Sequence, residues 1–139
     1  MAQEAQWART IGSSDADQIT AIAHDGEGYV YIAGTFEGTV NFNPSNVLNG
    51  DTRTSNGGKD VFIQKYDPNN IFPVSWTRTF GGPGDDFVAD MDIYLNNSGG
   101  DHLLTIAGDF ENTIDFNPVA GEDDIKTATN RDVFVTYYY

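Results

Sequence analysis

The chain has 139 residues, with 21 acidic side chains against 7 basic ones and a formal net charge of −14. Gripping phosphate or anionic lipid needs clustered Lys and Arg, so this balance excludes electrostatic binding to nucleic acid or a membrane surface. There is no Cys, which removes disulfides, zinc–thiolate sites and thiol nucleophiles, and His24 and His102 are too few for most metal or triad chemistry.

In chain order, the segment Trp7, Ala8, Arg9, Thr10, Ile11 reads as an opening strand. Residues 19–24, 29–36, 61–66 and 75–80 follow as strand-like runs, and the short pieces 39–42 and 52–54 fit an added hairpin. Fifteen Gly, nine Phe and seven Tyr support strands and tight turns. No segment carries a 3.6-residue apolar stripe over three turns, and none reaches the ~18 apolar residues that would span a bilayer. The start, Met1-Ala-Gln-Glu-Ala-Gln, lacks the basic and apolar regions of a signal peptide. The expected class is all-β.

The strands recur. Trp7-Ala-Arg-Thr-Ile-Gly returns as Trp76-Thr-Arg-Thr-Phe-Gly, and Tyr31-Ile-Ala-Gly-Thr-Phe-Glu-Gly as Thr105-Ile-Ala-Gly-Asp-Phe-Glu-Asn. Asn41-Phe-Asn-Pro returns as Asp115-Phe-Asn-Pro, and Asp60-Val-Phe-Ile as Asp132-Val-Phe-Val. Blocks in the same order make one domain of two units, about 7–75 and 76–139. Gly38 is replaced by Asn112 and Gly57 by Asn130, the two residue types that tolerate the left-handed region, so each position is expected at a turn of positive φ.

Four strands per unit with Gly-rich turns point to propeller blades. The blocks W-x-R-T-x-G, V-Y-x-A-G-x-F, D-F-N-P and D-V-F-x-x-K-Y-D resemble the bacterial β-propeller repeat family often labelled SBBP. The resemblance runs from Trp7 to Asp67 closely and from Trp76 to Tyr138 with departures. It implies a propeller fold in secreted or cell-surface bacterial proteins and no defined activity.

Two blades cannot close a ring that takes about four or more. Trp7 to Ile11 precedes the first full set of strands, and the second unit stops where the next such strand is due. The expectation is therefore an incomplete propeller, finished by head-to-tail homo-oligomerisation in which Trp7, Ala8, Arg9, Thr10 and Ile11 exchange between copies, or by neighbouring repeats of a longer chain. A two-sheet sandwich-like monomer is the other architecture that fits.

Asp115, Asn117, Asp123 and Asp124 share an acidic loop with oxygen ligands of the kind Ca²⁺ takes, although Val119 breaks the EF-hand pattern. The plainer reading is an Asx-Pro turn in which Asn43 and Asn117 bond their own backbone. Asp90 and Asp92 replace Ala21 and Ala23 of the first unit on the strand expected to be innermost, and period-two spacing puts them on one face. They fit a polar-ligand or cation site, solvated acids at a ring centre, or the paired carboxylates of a hydrolase. Trp76 and Arg78 share a face and fit a cation–π contact, as do Trp7 and Arg9. Phe36, Phe42, Phe62, Phe110, Phe116 and Phe134 are expected between blades, and Asp17, Asp60, Asp86 and Asp132 at backbone amides. With no phosphate loop, nucleophile elbow or H-E-x-x-H motif, the expected function is a non-catalytic binding or assembly module presenting loops to a glycan or protein partner.

Overall fold

The computed structural model describes residues 4, 8–46, 48, 50–70, 74–95, 102–117 and 122–139. Seven strands form two antiparallel sheets. The first has the order β1 (Gln18–His24), β2 (Val30–Asn41), β3 (Thr52–Tyr66) and β4 (Val74–Phe80). The second has β5 (Phe87–Leu95), β6 (His102–Asp115) and β7 (Ile125–Tyr138). Within each sheet every strand pairs with the next in sequence, the simple meander expected of short connections. Among the described residues the second sheet has three strands, one fewer than the first.

The short hairpin anticipated at 39–42 and 52–54 is a continuation of β2 and β3, with Thr39, Val40 and Asn41 facing Thr54, Arg53 and Thr52. Gly38 (φ 73°) and Asn112 (φ 62°) do adopt positive φ, but each sits at a register shift inside a strand pair rather than at a turn between strands. The extra residue is a β-bulge, which Gly or Asn accommodates with little steric cost. Gly57 and Asn130, also expected at positive φ, do not adopt it; Gly57 is needed because a Cβ there would stand 2.4 Å from the Pro83 carbonyl oxygen.

Cross-strand partners share a face, so the registers define side-chain rows. In the first sheet one face carries Ala21–Ala33–Ile63–Arg78 and Ala23–Tyr31–Lys65–Trp76. That face meets the second sheet in a shared core with Val88, Met91, Leu104, Ile106, Phe110, Ile114, Phe116 and Phe134. The opposite face of the first sheet forms a separate cluster of Ile32, Phe36, Val40, Phe42, Phe62 and Tyr66, against which Ile11 packs. All six Phe side chains anticipated as packing residues are buried, three in each cluster.

The aromatic packing repeats with the sequence. Phe36, Phe42 and Phe62 make a three-ring group with centroids 5.1 to 6.5 Å apart. Phe110, Phe116 and Phe134 repeat it at 4.9 to 6.4 Å. Phe80, at the end of β4, closes over the second group, 5.8 Å from Phe116 and 6.0 Å from Phe134.

Candidate functional site

Comparing equivalent positions in the two units shows where the molecule is unfinished. Val61 and Ile63 are fully buried against the second sheet, whereas their counterparts Val133 and Val135 on β7 are 86% and 75% exposed. The reverse holds on the other face. Val88 and Met91 are buried in the shared core, while their counterparts Ile19 and Ile22 on β1 are 53% and 70% exposed. Each end of the two-sheet stack thus offers the surface that its own middle interface buries. Adjacent apolar residues left open in this way mark interaction surfaces rather than scattered surface hydrophobes.

Asp90 and Asp92 lie on the open β7 side. The rows Asp90–Ala107–Val135 and Asp92–Thr105–Tyr137 put both acids on the face that carries the exposed Val135. Each is exposed, and each accepts a hydrogen bond from the next backbone N–H, Met91 at 2.8 Å and Ile93 at 2.9 Å. Their counterpart Ala21 is buried against the second sheet.

The acidic loop is held by its own hydrogen bonds. Asp115 Oδ1 accepts from the N–H groups of Asn117 and Asp124, both at 2.9 Å, and Asn117 Nδ2 donates to the Glu122 carbonyl. The first unit repeats the device, with Asn41 Oδ1 accepting from Asn43 N–H at 3.0 Å and Asp51 N–H at 3.2 Å. The capping side chains are therefore Asn41 and Asp115, two residues before the Asn43 and Asn117 anticipated, because Asx side chains reach forward to the second amide. Asp124 pairs with Lys126, and Asp123 is exposed. Among the described residues no group of three or more Asp, Glu, His or Cys side chains is placed to hold a metal, and residues 118–121 of this loop lie outside them.

Between the sheets runs a cleft of about 780 Å³ lined by Tyr31, Lys65, Trp76, Arg78, His102 and Tyr138, among others. Lys65 Nζ stands 3.9 Å from the Tyr29 ring centre, and the Arg78 guanidinium 5.3 Å from that of Tyr138. The aromatic partner of Arg78 is thus a ring of the other sheet rather than Trp76, which meets Tyr31 edge-on at 6.2 Å. Trp7 lies outside the described residues, so the pairing anticipated for it with Arg9 does too. The described ion pairs use Arg53, Lys126 and Arg131, so Lys65 and Arg78 stand as cations over aromatic faces in an acidic protein.

Buried carboxylates tie the segment that crosses from one sheet to the other. Asp86 Oδ2 accepts from Gly82 N–H at 2.7 Å, as Asp17 Oδ2 does from Ser13 N–H at 2.6 Å. Asp60 Oδ2 accepts from both the backbone and side-chain nitrogens of Asn56. Burial pushes the Asp60 carboxyl up to about 6, with the nearby Asp86 charge adding to the rise and the Asn56 donors opposing it. Asp86 is raised as well, chiefly by burial. Asp132, the counterpart of Asp60, is exposed, because no further segment covers it among the described residues. Sequence spacing identified these acids as amide partners but held no sign that the charge of Asp86 acts on Asp60.

Two meander sheets, one face of the first stacked on the opposite face of the second, define the molecule as a pair of propeller-type blades. Residues 6–35 match the family model described as SBBP, beta-propeller repeat. No curated protein and no solved structure matches the chain.

Proposed function

We propose that the chain is a non-catalytic assembly module of an exported bacterial protein, working by stacking its two end faces on further blades. The observation that carries this reading is the exposure of Val133 and Val135, whose counterparts Val61 and Ile63 are fully buried in the middle interface. Burying apolar side chains of this size is worth about 1.5–3 kcal/mol each, enough to drive stacking. Asp90 and Asp92 work against it, since on stacking they occupy the places of Ala21 and Ala23, and desolvating a charged carboxylate is costly.

Light scattering on a sizing column tests this. The expected mass is a multiple of the 15.2 kDa chain mass. Val135→Glu is expected to shift the equilibrium at least tenfold toward single chains, and the double variant Asp90→Ala/Asp92→Ala to shift it the other way. A single-chain mass for the unaltered protein at all accessible concentrations overturns the reading.

The inter-sheet cleft favours a second role, binding a glycan that bears carboxylates. Its volume lies within the range of ligand sites, its aromatic rings suit the faces of sugar rings, and Lys65 and Arg78 offer cations to an acid. Polygalacturonate is expected to bind with an affinity that falls with salt, and Lys65→Ala/Arg78→Ala to weaken it at least tenfold. Equal binding of a neutral glucan, or no effect of the double variant, would count against the cleft.

A further inference from the structure

We infer that residues 8–11 of one copy add to the free edge of β7 in a second copy, as an antiparallel fourth strand whose register is already written in the first sheet. This rests on the stacking reading above and names its partner and its contacts.

The template is the β3–β4 pair. There Val61 faces Phe80, Phe62 faces Thr79, Ile63 faces Arg78 and Gln64 faces Thr77. The repeats align Phe80 with Ile11, Thr79 with Thr10, Arg78 with Arg9 and Thr77 with Ala8. They also align residues 61–64 with Val133, Phe134, Val135 and Thr136 on β7. The register that follows sets Ile11 opposite Val133, Thr10 opposite Phe134, Arg9 opposite Val135 and Ala8 opposite Thr136.

Residues 8–11 already hold the matching pose on their own first sheet. Ile11 packs on the cluster that contains Phe42, Phe62 and Tyr66, as Phe80 packs on Phe116, Phe134 and Tyr138. The Arg9 guanidinium acts on the Tyr66 hydroxyl electrostatically, as Arg78 lies over the Tyr138 ring. The Ser13–Asp17 hydrogen bond reproduces the Gly82–Asp86 one directly after it. Segment 8–13 therefore stands to the first sheet as segment 77–82 stands to the second, yet 8–11 belongs to no strand. Residues 77–80 have β3 beside them; among the described residues no strand pairs with 8–11 in the same way.

The equivalent sheet edge is β7, the outer strand of its sheet among the described residues. An unpaired edge is a ready template for another strand, and here its two outward-facing valines are open as well. Joining the segment of one copy to the edge of the next is a heterologous contact, which propagates head to tail and closes when the rotation allows.

Engineered cysteines test the register in a chain that has none of its own. Chains carrying Ile11→Cys are mixed with chains carrying Val133→Cys and oxidised; Arg9→Cys with Val135→Cys supplies a second in-register pair. Ile11→Cys with Val135→Cys is the out-of-register control, and light scattering on each variant before oxidation reports assembly separately. Expected are disulfide-linked dimers from both in-register pairs, formed at least tenfold faster than from the control. Assembly without that preference overturns the strand register while leaving the stacking of faces intact. Single chains throughout overturn both.

Discussion

Replacing Phe80 by Ala is expected to cost about 3–5 kcal/mol, the range for deleting a buried phenyl ring. Phe80 is 3% exposed and belongs to β4 of the first sheet, but its ring contacts are in the second, with Phe116, Phe134 and Tyr138 at 5.8, 6.0 and 6.1 Å. Little backbone is free to collapse into the space, since it is bounded by two rigid sheets. A domain's total stability is about 5–15 kcal/mol, so this one change removes a large part of it. Urea unfolding of the variant measures the loss, and thermal unfolding is expected to broaden as the two sheets uncouple. A cost below about 1 kcal/mol would mean that Phe80 does not hold the sheets together. Leu in place of Ala, which keeps most of the volume, is expected to recover much of the loss.

Replacing Asp60 by Asn is expected to stabilise the protein at pH 8 by about 3 kcal/mol, because the carboxyl moves from an ordinary 3.8 to about 6 on folding and each tenfold change in proton affinity is worth about 1.4 kcal/mol. The sign follows from proton counting. Between those two values the folded state holds more protons than the unfolded one, so this group's contribution is fully present below about 3.8 and lost as pH rises through 6. Asp86, raised in the same direction, adds to that trend. The amide side chain would keep an oxygen for the two Asn56 donors while removing the charge that burial and Asp86 disfavour. Urea midpoints at pH 4 and pH 8 decide it. The variant's advantage should be confined to the higher pH, and an equal loss at both values would show that the charged form of Asp60 is needed for the fold.

Much of this architecture was legible in the residues. The repeated blocks located the strands, and Gly38 against Asn112 correctly marked a position of positive φ. The bulge there was not legible, because one extra residue in a strand looks like a turn until the partner register is known. The hydrogen-bonded caps were found to within two residues, Asn41 and Asp115 in place of Asn43 and Asn117. Arg78 was paired with Trp76 by period-two spacing, yet its ring partner, Tyr138, is far along the chain and in another sheet. Asp90 and Asp92 share a face as alternation requires, but only the row through Ala107 and Val135 tells which face that is.

The sequence by itself determined that the chain is all-β, that it consists of two copies of one unit, and that alternate positions of each strand fall into two sets on opposite faces. These are local properties, carried by period-two alternation, β-branched and aromatic content and turn residues. Only the tertiary structure decided which of those sets is covered. Val61 and Val133 sit in the same short motif, and one is fully buried while the other is 86% exposed. Burial is set by whether another sheet stands opposite, a non-local condition to which no neighbour in sequence contributes.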